Sequence, residues 1–198
     1  MNKKKFKNIL VVLGGTSGER AVSLESGKAC IKALKKIKYK VSSFDPQKKN
    51  FNLINKSKTD AIFNALHGKD GEDGVAQSYF EYLKIPYTHS GVVSSFNAMD
   101  KLISKKIFLK NKIRTPKYFI YSYNLKKIDL IKKINNHLNF PVVVKPLNEG
   151  SSVNVYICNK NNIVRRLNSL IYYKKIMIEE FIGGREIQVA IMGNTKLG

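Results

Sequence analysis

The sequence has no run of about 18 apolar residues, the length a helix needs to cross a bilayer, so no membrane-spanning helix is expected. It has only two cysteines, Cys30 and Cys158, too far apart for metal-ligand spacing. Buried free thiols are the expectation for both. Acidic residues are scarce: 14 Asp and Glu stand against 36 Lys and Arg, a net charge of +22. Such an excess suits nucleic acid, an anionic membrane surface or acidic small ligands. The lysines, however, are scattered among Asn and Ile in every segment, without the interleaved aromatics that stack bases. The Lys/Asn/Ile bias of an AT-rich genome gives the same composition. Neither nucleic acid nor a membrane is therefore expected as a partner, and anionic small substrates remain compatible. The N-terminus, MNKKKFKNILVVLGG, does not read as a cleavable leader. Its apolar run, residues 9–13, is too short, and no small-residue cleavage site follows. A cytoplasmic protein is expected. There is no internal repeat, no full dinucleotide fingerprint and no Walker A sequence.

What is present is enough apolar surface for a core, 43% of 198 residues, in one large domain or two small ones. Residues 7–13 read as a buried strand, and residues 14–18 (GGTSG) as a glycine-rich turn. Residues 19–34 follow a mostly helical period, with Ser17 or Ser23 placed to cap the start. Strands are expected at residues 39–44, 60–66 and 85–88, helices at 75–83 and 94–111. Alternating βαβ units over the first hundred residues imply a parallel sheet with helices on both faces. After Thr115-Pro116 the pattern changes. Strands are expected at 118–121, 153–158, 175–180 and 187–192, and helices at 124–138 and 161–172.

Two loops carry chemistry. Residues 67–74 (HGKDGEDG) put a histidine and three carboxylates at a strand's carboxyl end, where ligands of open α/β sheets bind. Glu72 and Asp73 also suit capping of the next helix. Residues 141–153 (PVVVKPLNEGSSV) begin with three valines, the composition of a strand buried on both faces. Lys145 and Pro146 are expected to end that strand, because proline has no ladder N–H. A lysine at a strand end followed by a Gly/Ser loop is a way to hold phosphate. A surface turn with a snorkelling lysine fits the same residues.

Six stretches in order, residues 14–27, 65–78, 86–91, 99–101 (MDK), 142–153 and 178–186 (IEEFIGGRE), together resemble the D-alanine–D-alanine ligases of the ATP-grasp superfamily. The resemblance covers the whole chain. It implies an α/β fold: an N-terminal parallel-sheet (pre-ATP-grasp) domain, residues 1–100, then an α+β ATP-grasp lobe, residues 101–198. The C-terminal lobe is expected to be absent. The implied reaction joins two D-alanines through an acyl phosphate at the expense of ATP, for peptidoglycan synthesis. The alternatives are another ATP-grasp carboxylate–amine ligase, or a non-catalytic nucleotide- or amino-acid-binding module. The implied catalytic residues are Glu19 and Ser151. Glu19 is expected to hold the ammonium of the first D-alanine, with Ser151 in its orienting network and His67 near the carboxylate. The implied ATP-binding residues are Lys101, Lys145, Ser152, Glu179, Glu180, Phe181, Ile182 and Glu186. Lys101 and Lys145 take the phosphates, Glu179 the adenine amino group, and Glu186 the ribose. Magnesium (or manganese) ligands are expected beyond Gly198, so the chain alone is expected to be inactive. A homodimer through the N-terminal domain is implied. Asn154 stands where the family usually has glycine, and Asn tolerates left-handed backbone.

Overall fold

The computed structural model describes residues 6–187 and Val189. Among these are seven strands, six α-helices and two short 3-10 turns. Strand β1 (Asn8–Val12) is the centre of the first sheet, with β2 (Lys40–Phe44) and β3 (Ala61–Asn64) parallel to it on either side. The expected strand at 85–88 reduces to one parallel bridge, Ile62 to Tyr87. Helix α1 (Arg20–Lys36) lies on one face, where Leu24, Ile31 and Leu34 pack against Val11, Leu13 and Ala65. Gly27 lets the helix approach closely. Helix α2 (Val75–Tyr82) covers the other face, burying Ala76 and Phe80 against Leu10, Val12 and Ile62. The expected helix-on-both-faces arrangement is thus observed. The helical stretch around residue 100 divides into α3 (Val92–Met99) and α4 (Lys101–Lys110). Asp100 breaks it, because its Oδ1 accepts the N–H groups of Leu102 (2.8 Å) and Ile103 (3.0 Å) and so caps α4.

The second sheet is antiparallel, in the order β4 (Tyr118–Tyr121), β7 (Ile176–Glu180), β5 (Val142–Pro146), β6 (Tyr156–Cys158). Helices α5 (Lys127–His137) and α6 (Ile163–Ser169) pack on one face of it, closing a core of Leu130, Ile134, Val142, Val144, Ile163, Leu167 and Ile178. Strand β5 departs from expectation in one way. It is not buried on both faces: Val142, Val144 and Pro146 are buried, while Val143 and Lys145 are half-buried. It ends at Lys145 and Pro146 as expected, with Pro146 paired to Ile176 as the last residue, where no further ladder is needed. Strand alternation then puts Val143, Lys145, Met177, Glu179 and Tyr118 on the face away from α5 and α6. Cys158 is buried, and desolvation pushes its thiol up to about 11. Cys30 is only half-buried, contrary to expectation. The strand expected at 187–192 falls largely outside the described residues.

Candidate functional site

The order β2-β1-β3 reverses direction beside β1, and ligands of open sheets gather beyond the strand ends at such a point. The loop after β1 and the loop after β3 meet there. The first is fixed from below. Arg20 donates to Gly15 O (2.8 Å) and grips Asp45 with both nitrogens (3.0 and 2.7 Å). Asp45 also accepts from Gly15 N (3.1 Å). The Arg20 guanidinium, with these N–H groups, holds the Asp45 carboxyl at about 2. Ser23 does not cap α1. It is buried, accepting from Gly14 N (2.8 Å) and donating to Ala65 O (2.6 Å). Ser17 ties the loops together, accepting from Glu19 N (3.2 Å) and donating to His67 O (2.7 Å).

Glu19 precedes the first residue of α1. It is half-buried. Its Oε1 accepts the hydroxyl of Ser151, 132 residues away. Gly68, at φ +66°, passes close by, and a Cβ there would lie 2.5 Å from Glu19 Oε2. Glu19 lines a cleft of about 770 Å³ with Ser17, Gly68, Asp100, Glu149 and Gly150. In the second loop, Glu72 Oε2 accepts Gly68 N (2.8 Å), and Oε1 lies 3.6 Å from His67 Nδ1. Glu72 therefore holds the loop instead of capping α2, while Asp73 does meet Val75 N (3.2 Å). His67 Nε2 reaches Ser26 Oγ at 3.3 Å. The ring lines an adjacent cavity of about 490 Å³, with Ser26, Cys30, Phe63 and His89, and not the Glu19 cleft.

A third cleft, about 440 Å³, brings Lys101 and Lys145 together with Lys105, Thr115 and Glu179. Lys145 pairs with Glu179 Oε1. Lys105 lies 2.9 Å from Oε2 as an ion pair, without hydrogen-bond alignment, and Oε2 is otherwise unpartnered though buried. Lys101 donates to Leu147 O (3.3 Å) and to Glu149 O. Burial first, then the nearby Lys145 ammonium, holds Lys101 below the usual 10.5. Several ammonium groups around one carboxylate leave positive charge for an anion.

The loop after β5 joins the two clefts. Ser151, Ser152 and Asn154 all have positive φ (44°, 58° and 58°), so Asn154 adopts the backbone expected of it. Tyr173 holds the loop, donating to Glu149 Oε1 (2.9 Å) and accepting from Asn154 Nδ2 (3.0 Å). Glu180, the last residue of β7, is half-buried, and beyond it Phe181, Ile182 and Glu186 are exposed. None of these four lines the lysine cleft. Sequence reasoning missed Lys105 and Tyr173. Lys105 has a legible signal, its i+4 spacing from Lys101 on one helix face; Tyr173 has none. Among the described residues, no group of three His, Cys, Asp or Glu side chains is placed to hold a metal, and no helix is long and apolar enough to cross a membrane.

Two family patterns match in order: one described as D-ala D-ala ligase N-terminus at residues 42–90, the other as D-ala D-ala ligase C-terminus at residues 112–198. Together they take in more than half of the chain. A D-alanine–D-alanine ligase of Pelagibacter ubique is 57% identical over 97% of the chain, and the chain spans 63% of that relative's length. The D-alanine–D-alanine ligase structure from Bacillus anthracis superposes with a TM-score of 0.77 at 38% identity, over 90% of this chain and 58% of that one. A structure of the Bacillus anthracis ligase complexed with ATP gives a TM-score of 0.74 at 35% identity, over 90% and 60%. With its two halves matched in order, and its parallel and antiparallel sheets superposing on those of the solved ligases, the chain belongs to the D-alanine–D-alanine ligase family.

Proposed function

We propose that the chain carries the D-alanine and ATP sites of an ATP-dependent ligase that forms D-alanyl-D-alanine for peptidoglycan synthesis. The observation that carries this reading is the Ser151–Glu19 hydrogen bond, which ties the phosphate-type loop to the glycine-rich turn. Glu19 receives the ammonium of the first D-alanine, a charge-assisted bond that gains strength as water leaves the cleft. Ser151 fixes the direction of that carboxylate. His67, steadied by Glu72 and Ser26, serves the carboxylate side from the neighbouring cavity. Lys101 and Lys145 take phosphate oxygens, with Ser152 in the covering loop. Glu179 Oε2, buried and faced by the Lys105 ammonium without an aligned hydrogen bond, keeps acceptor capacity for the adenine amino group. Phe181 packs by the ring, Ile182 meets its edge through backbone, Glu186 takes the ribose, and Glu180 belongs to the same segment.

Clustered cations suit the charge that develops as a carboxylate attacks the terminal phosphate. Magnesium, when bound, would offset the same negative charge, and no described residue is assigned to it. Residues 1–100 form the substrate-binding unit and 101–198 the nucleotide lobe, a division supported by the helix break at Asp100. We also take the protein as a cytoplasmic homodimer through the first unit, supported by the exposure of Tyr82, Val93 and Phe96 there. The 198 residues alone are expected to bind both substrates without joining them. Calorimetric titration tests this reading. ATP binding should weaken in Lys145→Ala, and D-alanine binding should weaken in Glu19→Gln while ATP binding persists. A wild-type chain that binds neither compound refutes it.

A further inference from the structure

An ammonium has three donors to place, and Lys105 has three oxygens around it. Thr115 Oγ1 lies at 2.7 Å, Pro116 O at 2.8 Å and Glu179 Oε2 at 2.9 Å. The Tyr118 ring adds a cation–π contact, its centroid 4.9 Å from Nζ. At 6% exposure, this lysine is held on every side. Lys145, on the same carboxylate, is placed differently. Its side chain is 19% exposed, Glu179 is its one hydrogen-bond or ion-pair partner among the described side chains, and it lines the cleft. Glu179 therefore has one anchored counter-ion and one free to leave.

Resting on the nucleotide reading above, we propose that Lys105 is a positioning residue, the permanent counter-ion that keeps the Glu179 carboxylate aimed when phosphates draw Lys145 away. Were Lys145 the sole partner, its transfer to phosphate would strand a buried carboxylate, a large cost in a dry site. Lys105 removes that cost because its own oxygens come from the Thr115-Pro116 segment and do not move with the ligand. It also holds Oε2 by charge without using it as an aligned acceptor. The lone pairs stay available for an incoming N–H. A site of this kind discriminates: a 6-amino purine donates to Oε2, whereas a 6-oxo purine sets oxygen against oxygen.

The test titrates the 198-residue chain with ATP and with ITP by calorimetry. The wild type should prefer ATP. Lys105→Met should weaken ATP binding by about 10- to 100-fold and change ITP binding by less than about threefold, the loss of one charge-assisted acceptor. Lys105→Arg, which keeps the charge, should recover part of the preference. Thr115→Val, which removes one anchor and leaves the lysine, should lower the ATP/ITP ratio by a smaller factor and decides the matter if the methionine variant does not fold. Equal weakening of both nucleotides, or of neither, overturns the inference and leaves Lys105 a structural residue. A wild type that binds neither nucleotide removes the nucleotide reading itself, and the inference with it.

Discussion

Replacing Gly27 with alanine sets two effects of opposite sign against each other. Glycine inside a helix costs about 1 kcal/mol relative to alanine, so the substitution should stabilise α1 if the site were open. It is not open. A Cβ at Gly27 would lie 2.6 Å from Leu13 Cβ and 3.1 Å from Leu13 Cδ1. Carbon atoms pack at about 3.5–4.0 Å, so the helix would have to move off the sheet by roughly 1 Å. One turn earlier, Ser23 resists that motion, because its buried hydroxyl bridges Gly14 N (2.8 Å) and Ala65 O (2.6 Å). Overpacking a core costs about 1–3 kcal/mol. Stretching the Ser23 bonds adds about 1 kcal/mol. Against the propensity gain, the net loss is about 1–3 kcal/mol. Urea unfolding followed by circular dichroism measures it, and melting should fall by about 2–4 °C for each kcal/mol lost. Gly18→Ala, with nothing within 4 Å of its Cβ, is the control and should change stability by less than about 0.5 kcal/mol. A Gly27→Ala chain as stable as the wild type would refute the close approach of helix and sheet.

Asp45→Asn should destabilise the chain, with a pH dependence of definite sign. Asp45 is lowered from 3.8 to about 2 in the fold. A depressed carboxylate contributes stability above its unfolded value and loses it as pH falls through the folded one. The stability gap between wild type and Asp45→Asn should therefore be full at neutral pH and close between about pH 4 and pH 2; a gap that widens on acidification sinks the argument. Gly68→Ala should cost about 1 kcal/mol for its left-handed φ. It should also turn the Glu19 carboxylate away from the crowded Cβ and weaken D-alanine binding. In a Glu19→Gln background the same change should bring no further loss of affinity, and calorimetry on the four chains decides the point.

Much of the first domain was legible because its signals are local. β-branched runs, glycine-rich turns at strand ends and a helical period give a βαβ order, and parallel pairing follows from the crossovers. The two chemical loops stood out because glycines and carboxylates clustered at strand ends. Burial was less legible. Three consecutive valines read as a doubly buried strand, yet alternation leaves Val143 and Lys145 on the cleft face, since only α5 and α6 cover β5. Caps were misread for a similar reason. Ser23 sits one turn into α1 and finds Ala65 O, a partner 42 residues away that no local pattern names.

The sequence by itself supplied the candidates: lysines and carboxylates in glycine-rich turns and at strand ends, to which the family resemblance attaches the proposed phosphate, ammonium and adenine roles. The tertiary structure alone decided which of them meet. It joined Glu19 to Ser151 across the two sheets, and it buried Lys105 of α4 beside Glu179 of β7. Such contacts depend on how two separately patterned halves pack, and side-chain periodicity within either half carries no record of the other.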